Sequence, residues 1–328
     1  MSYNQLSASE RFYLYQLRTT TDLSLRAIAK KMGRDQSTLS RELQRNQVSS
    51  DLYLPDTAQQ KMLTRRQQSK TAFRGVSETC LHQVKQRLEQ YHSPEQIAGR
   101  LKIEGQEYVS HETIYKMIYG NYQSLGQYQK YLRLCRGKRH RRGSRKSSRG
   151  QIPGRIGIEH RPEIANLKTQ IGHWESDTVI GGNHTGILVT HVDKASKFLV
   201  AGLAKNRTVQ QVNQVTIERF SKIPKSQRLT MTFDNGKEFS GHQELATALE
   251  ISCYFANPYH SWERGLNEHT NGLIRQFFPK QTNFRIVKSS EVVNVVNLIN
   301  NRPRKSLDYR TPYEVFYSHT SDNDALQT

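Results

Sequence analysis

Residues 171–204, IGHWESDTVIGGNHTGILVTHVDKASKFLVAGLA, hold the pattern that decides the fold. HWESDTVIG alternates in polarity and becomes β-branched near its end, and ILVTHVD and FLVAGLA follow after Gly-Asn-His and Lys-Ala-Ser turns. Short runs rich in Val, Ile and Thr between turn formers read as strands. Further along, TVQQVNQVTIERFSK (208–222) reads as a helix and LTMTFD (229–234) as a strand. Residues 242–249 then read as a helix, SCYFA (252–256) as a strand and roughly 263–276 as a helix. Three consecutive strands, a helix, and then strands alternating with helices make a mixed sheet with helices on its faces, an α/β domain. Trp174 is expected to pack at the edge of that sheet.

The front of the chain has a different texture. Leu25, Ile28, Ala29 and Met32 share one helix face, Gly33 stops that helix, and Asp35 caps a second helix that turns Leu39 and Leu43 inward. This is a helix-turn-helix pattern, and its second helix presents Gln36, Ser37, Thr38, Ser40 and Arg41 to DNA. Any pair of antiparallel helices shows similar spacing, so the surrounding charge has to support the reading. A related pattern recurs at 93–119. Ser93 and Pro94 open a helix with Ile97, Ala98 and Leu101 on its apolar face, and Ser110 opens another with Ile114, Met117 and Ile118 inward. Its outer face offers His111 and Lys116 to DNA; a plain helical spacer is the alternative. Residues 133–149, RLCRGKRHRRGSRKSSR, hold nine Lys or Arg and no acid, a linker whose Arg139, Arg141, Arg142, Arg145 and Lys146 suit phosphate backbone.

Charge supports nucleic acid. Lys plus Arg total 49 and Asp plus Glu 29 over 328 residues, a formal net charge of +20. Residues 1–150 carry 28 basic and 12 acidic side chains, while residues 151–328 carry 21 and 17. The front half is thus built to meet a polyanion, and the back half has the balance of an ordinary enzyme. A basic protein of another kind, such as a ribosomal protein, fits the charge alone. No apolar run approaches the roughly 20 residues that span a bilayer. The start, MSYNQLSASERF, lacks an apolar core and a cleavage site, so no secretory signal is expected. Cys80, Cys135 and Cys253 are odd in number and far apart, which argues against a disulfide framework or a zinc module. A reducing cytoplasm is the expected setting.

Three acids stand out by position. Asp177 lies within the first strand, Asp234 ends a strand and opens an Asp-Asn-Gly turn, and Glu268 lies on the following helix. Carboxylates brought together raise one another's pKa unless a cation sits between them. Hard oxygen ligands without cysteine suit Mg²⁺ or Mn²⁺. Two such ions about 4 Å apart activate an attacking oxygen and stabilise a leaving one. Asp193 and Glu263 are rival acids, and Asp-Asn-Gly is a good turn in its own right. Spacing by itself does not choose among them. On the last helix Arg264, Asn271 and Arg275 lie near the face of Glu268 and offer donors to phosphate.

Four blocks of the back half carry a resemblance: GHWESDTVIG at 172–181, TFDNGKEF at 232–239, NPYHSWERGLNEHTNGLIRQFFPK at 257–280 and NRPRKSLDYRTPYEVF at 301–316. They resemble the transposases of bacterial insertion sequences of the IS-thirty family. These are DDE transposases with the RNase H-like fold shared with retroviral integrases. The first helix-turn-helix and SPEQIAGRL (93–101) resemble the family's DNA-binding region, so the likeness extends over nearly the whole chain. It implies an RNase H-like catalytic domain, a mixed five-stranded sheet with flanking helices, preceded by all-α helix-turn-helix domains. It implies that Asp177, Asp234 and Glu268 hold two Mg²⁺ ions, with Mn²⁺ as substitute. The implied activity is cleavage of double-stranded DNA at terminal inverted repeats and transfer to target DNA, with no covalent protein–DNA intermediate. Joining two ends at once implies a homodimer or larger assembly. Glycine is expected at the position of Ser176, where a serine places a side chain beside a metal ligand.

The expected layout is a helix-turn-helix domain at 1–50, a helical connector at 51–92 and a second helix-turn-helix-like domain at 93–132. A basic linker at 133–160, the catalytic domain at 161–316 and a polar tail at 317–328 complete it. Two rival functions remain at this level: a DNA-binding regulator without catalysis, and a nuclease of the same fold without strand transfer.

Overall fold

The computed structural model of the chain describes residues 5–49, 52–69, 73, 75–133, 152–257 and 265–324. Arg139, Arg141, Arg142, Arg145 and Lys146 of the basic run, and Glu263 and Arg264, lie outside the described residues. The chain forms two compact units, Met1–Gly75 and Val76–Thr328. No helix among the described residues is long and apolar enough to cross a membrane.

The first unit contains four helices: α1 (Ala8–Thr20), α2 (Leu25–Met32), α3 (Gln36–Asn46) and α4 (Pro55–Ser69). Polar caps set their starts. Ser7 and Glu10 form a reciprocal capping box on α1, Ser24 accepts from Ala27 N, and Asp35 accepts from Ser37 N at 2.7 Å. Gly33 ends α2 at φ 63°, a left-handed conformation that glycine adopts without steric cost. Leu14, Leu17, Ile28, Ala29 and Leu39 fill the core, with Tyr53 and Ala58 from around α4. At its centre Arg11, 1% exposed, binds Glu42 at 2.7 Å, the Leu6 carbonyl at 2.7 Å and Gln59 at 2.6 Å. The segment read as a connector is therefore divided, because α4 packs with α1 and α3.

The second unit begins with α5 (Glu78–Glu89), α6 (Pro94–Ile103) and α7 (His111–Tyr119). Ser77, Ser93 with Gln96, and Ser110 cap them, and Pro94 occupies the first turn of α6. After α8 (Ile164–Leu167), β1 (His173–Ile180), β2 (Ile187–Asp193) and β3 (Leu199–Ala204) lead to α9 (Val209–Phe220) and β4 (Thr230–Phe233). Then come α10 (His242–Leu249), β5 (Ser252–Phe255), α11 (Gly265–Phe277), α12 (Ser289–Asn300) and α13 (Pro312–Asp324). The strand order is β3-β2-β1-β4-β5. β1 pairs antiparallel with β2 and parallel with β4, so the sheet is mixed, with flanking helices and an RNase H-like layout.

Strand alternation splits the core. Trp174, Val189, Met231, Phe233 and Phe255 face one way, towards Val212 and Phe220 of α9 and Leu245 of α10. Val179, Leu188 and Val192 face the other way, towards Leu273 and Ile274 of α11 and Val292, Val295 and Ile299 of α12. Trp174 thus sits in the central strand rather than at an edge. It is fully buried against Phe220 and Phe316, and its indole N–H donates to the Gln227 carbonyl at 2.9 Å. The mixed order explains the difference: β4 returns parallel to β1 on its other side and makes the first strand the middle one. The expected polar tail starts as the end of α13, where the Tyr317 ring packs edge-on to Phe198.

The α5–α7 segment is fixed to the catalytic fold of the same unit. Arg100 of α6 forms a bidentate pair with Glu314 of α13 at 2.7 and 2.6 Å, and Tyr91 packs edge-on to Phe277 of α11.

Candidate active site

The site forms where β1, β4 and α11 meet. β1 and β4 pair as His173 with Thr230, Trp174 with Met231 and Glu175 with Thr232. The pairing ends there; Asp177 lies two residues further along β1, and Asp234 two residues beyond Thr232, just past the end of β4. Asp177 projects to the α11 side of the sheet, the side of Glu175 and Val179, since side chains two apart share a face. Asp234 closes a turn of its own, accepting from Gly236 N at 2.9 Å.

α11 packs on β1 and β2. Asn271 donates its amide Nδ2 to Asp177 Oδ2 at 2.9 Å, and the other Asp177 oxygen accepts from Thr178 N at 2.8 Å. Glu268 precedes Asn271 by three residues, one turn back on the same helix face. It is exposed, and among the described residues it makes no hydrogen bond or ion pair. It also lies in the first turn of α11, where the helix dipole favours a carboxylate. Asp234 thus directly follows β4, the neighbour of β1, and Glu268 lies one turn before Asn271, which contacts Asp177. Among the described residues, no three His, Cys, Asp or Glu side chains stand close enough to share an ion. The donor set still fits a hard divalent cation: three carboxylates and an amide, with no soft ligand.

Beneath this face lies a buried ion pair that sequence reading missed. Lys194 Nζ stands 3.4 Å from Glu175 Oε1, and both side chains are almost fully buried. The other Glu175 oxygen accepts from Asn267 N at 3.3 Å, which ties β1 to the first turn of α11 next to Glu268. The only sequence hint was Glu175 itself, two residues before Asp177 and so on the same side of β1.

The rival acid Asp193 has a different task. It is fully buried and accepts from Gly172 N, Ala195 N, Ser196 N and the Ser196 hydroxyl, which closes the β2–β3 turn. Ser176 likewise differs from expectation. Strand alternation turns it away from Asp177 to the opposite face, where its hydroxyl lies 2.7 Å from His191 Nδ1. Thr216 gives its own hydroxyl proton to the Val212 carbonyl at 2.7 Å, so it accepts from His191 Nε2–H at 3.3 Å. That leaves His191 Nδ1 as the acceptor for Ser176. Burial pushes the His191 imidazole down to about 3, in keeping with this neutral form.

On the DNA-binding side, Gln36, Ser37, Ser40 and Arg41 of α3 are exposed and Thr38 is half-buried. Arg41 donates to the Ser37 hydroxyl at 3.1 Å. His111 and Lys116 are exposed on α7. Arg275 is engaged elsewhere: its guanidinium donates to the carbonyls of Ile180 at 2.7 Å, Pro279 at 3.2 Å and Phe278 at 3.4 Å.

A helix-turn-helix unit followed by an RNase H-like core defines a polynucleotidyl transferase of the integrase type. Family models agree with this: a helix-turn-helix domain matches residues 2–46 and an integrase core domain matches residues 168–261. The chain is 41% identical over 316 residues to the transposase for insertion sequence element IS4351 of Bacteroides fragilis, covering 96% of each chain. It is 33% identical to the transposase for IS1086 of Cupriavidus metallidurans, covering 95% of this chain and 94% of that one. It is 34% identical to transposase InsI for IS30A of Escherichia coli strain K12, covering 89% of this chain and 78% of the relative. The chain belongs to the insertion-sequence transposases of the IS30 family, enzymes that bind DNA, cut it and transfer the cut strand.

Proposed function

We propose that this transposase acts on the terminal inverted repeats of its own insertion sequence, with Asp177, Asp234 and Glu268 as the acidic triad. The observation that supports this reading is the β1–β4 pairing, which sets the strand that leads to Asp234 beside the strand bearing Asp177, together with the Asn271 contact that ties α11 to Asp177. The three carboxylates would hold two Mg²⁺ ions, or Mn²⁺ in their place. Such a pair lowers the pKa of a bound water or 3′-hydroxyl and stabilises the leaving oxygen.

The chain's own residues supply the frame. Asn271 orients one oxygen of Asp177, and the backbone N–H of Thr178 orients the other. Glu175 anchors the first turn of α11, next to Glu268. Water first cuts a phosphodiester at the element end and leaves a 3′-hydroxyl and a 5′-phosphate; that hydroxyl then attacks a phosphodiester of the target duplex and displaces the target strand's 3′-oxygen, which takes up the proton, so one P–O bond forms as another breaks. Gln36, Ser37, Thr38, Ser40 and Arg41 read the repeat, and His111 and Lys116 contact it from the second helix pair. The basic segment grips backbone through Arg139, Arg141, Arg142, Arg145 and Lys146, and Arg264 offers a further donor to phosphate. Two ends joined in one event call for a homodimer or larger assembly, working in the cytoplasm. The functional layout remains the one expected above, with α4 assigned to the repeat-binding unit.

The test is Asp177→Asn and Asp234→Asn, each assayed on labelled element-end DNA with Mg²⁺. Cleavage is expected to fall by about 10³-fold or more, while metal-free binding of the same DNA is retained. Cleavage at the wild-type rate by either variant overturns the assignment.

A further inference from the structure

A second cluster adjoins the face of α11 that carries Glu268. Gln276 accepts from Arg302 Nη1 at 3.2 Å and donates to the Tyr131 carbonyl at 3.2 Å, and the Arg302 guanidinium lies 5.8 Å from the centre of the Phe277 ring. Arg133, two residues past Tyr131, lies against Gly272, where a Cβ would stand 3.0 Å from its Nη2. Arg304 is held by the Ile299 carbonyl at 3.1 Å. His269, Gly272 and Gln276 follow one another at helical spacing, so the cluster runs along the face next to Glu268 and Asn271.

Three features set these arginines apart. Arg302 is 3% and Arg304 8% exposed, while Arg133 is open to solvent. Among the described residues none of the three meets a carboxylate. Nε and Nη2 of Arg302 and Nε of Arg304 are buried without a hydrogen-bond partner. Burial first, and the neighbouring arginines second, push Arg302 down to about 10 and Arg304 down to about 9. Buried guanidinium groups without a counter-charge are costly, and an anion relieves that cost. Planar donor forks suit phosphate above other anions available to a DNA-handling enzyme.

We infer that Arg133, Arg302 and Arg304 form a receptor for a backbone phosphate of the DNA strand passing α11, separate from the phosphate that is cut. This rests on the transposase reading above and adds residues that neither helix-turn-helix nor the acidic triad contains. Arg133, the exposed member, meets the strand first. The pair behind it is fixed by Gln276, Phe277 and the Ile299 carbonyl, and supplies positive potential and spare donors.

The experiment uses the full chain and element-end duplex in EDTA, so that binding is read without chemistry. Affinity is measured against salt for wild type, Arg133→Gln, Arg133→Lys and Arg304→Gln, and the free proteins are melted in parallel. Each Gln variant is expected to lower the slope of log affinity against log salt by about one. Arg133→Lys is expected to keep most of that slope. Without DNA, Arg133→Gln is expected to melt as wild type does, since its side chain is exposed and meets no carboxylate among the described residues. A single neutral methylphosphonate, moved along the strand, is expected at one position to weaken wild type but not Arg133→Gln.

An unchanged slope in both Gln variants overturns the inference. Loss of cleavage is not read here, so a failure of the triad assignment shows up separately.

Discussion

Asn271 on α11 and Asp177 on β1 are joined by a 2.9 Å hydrogen bond from the amide to the carboxylate, and this latch connects the helix bearing Glu268 to the strand bearing Asp177. Partners that orient a ligand in this way are usually worth about 10–100-fold in metal affinity or activity. Asn271→Ala is therefore expected to slow cleavage by about that factor and to raise the Mg²⁺ concentration needed for half-maximal rate. Titrating Mg²⁺ against single-turnover cleavage checks both. A rate within about threefold of wild type at every Mg²⁺ concentration would show that the latch has no part in the chemistry.

Ser176→Gly installs the residue that the family resemblance leads one to expect. Because Ser176 faces away from Asp177, the change is expected to leave the cleavage rate within about threefold. It removes the donor to buried His191 Nδ1, so the loss falls on stability, about 1–3 kcal/mol. Urea unfolding and a cleavage time course on the same preparation separate the two effects.

The histidines make the second unit acid-sensitive. Burial holds His191 down to about 3, and burial together with the nearby Arg302 and Arg87 holds His92 down to about 3, both from an ordinary 6.5. Between those values the unfolded chain binds protons that the folded chain excludes. The stability is complete above pH 6.5 and is lost as pH falls towards 3, by up to about 1.4 kcal/mol per pH unit for each histidine. The urea midpoint is expected to drop between pH 7 and pH 5, before ordinary carboxylates titrate. A flat midpoint across that range would contradict the account.

Arg11 and Glu42 make the first unit depend on one buried pair. Removing one partner of such a pair costs about 3–5 kcal/mol. Arg11→Ala also strands the acceptors on Leu6 and Gln59. Calorimetry of the full chain is expected to show a low-temperature transition in Arg11→Ala that is absent from wild type, together with loss of specific DNA binding. A single unchanged transition would contradict the assignment of Arg11 to the core.

Local signals made much of this legible in advance. Ser93 before Pro94, Asp35 after Gly33, and the alternation in ILVTHVD each determine an element through nearest-neighbour chemistry, and each element formed where expected. What stayed hidden depends on partners far along the chain. Trp174 could be placed at the centre of the sheet only once β4 was known to return parallel beside β1. Glu175 meets Lys194 and Asn267 across three elements, and no spacing rule links them. Arg302 and Arg304 looked like part of a family block until the fold set them within electrostatic reach of Arg133. The side to which Ser176 points was available from alternation alone, since neighbours on a strand face opposite ways.

The third member of the triad carries the most weight, because Glu268 lies beyond the integrase-core match at 168–261 and shares its segment with the rival Glu263. The most direct measurement compares Glu268→Gln with Glu263→Gln for cleavage and end joining on element-end DNA with Mg²⁺. Both changes keep size and remove charge. The account expects Glu268→Gln to bind the DNA and do nothing further, while Glu263→Gln cuts and joins as wild type does. If Glu268→Gln cuts and Glu263→Gln is inert, the third acid of the triad is Glu263 and the assignment to Glu268 is wrong.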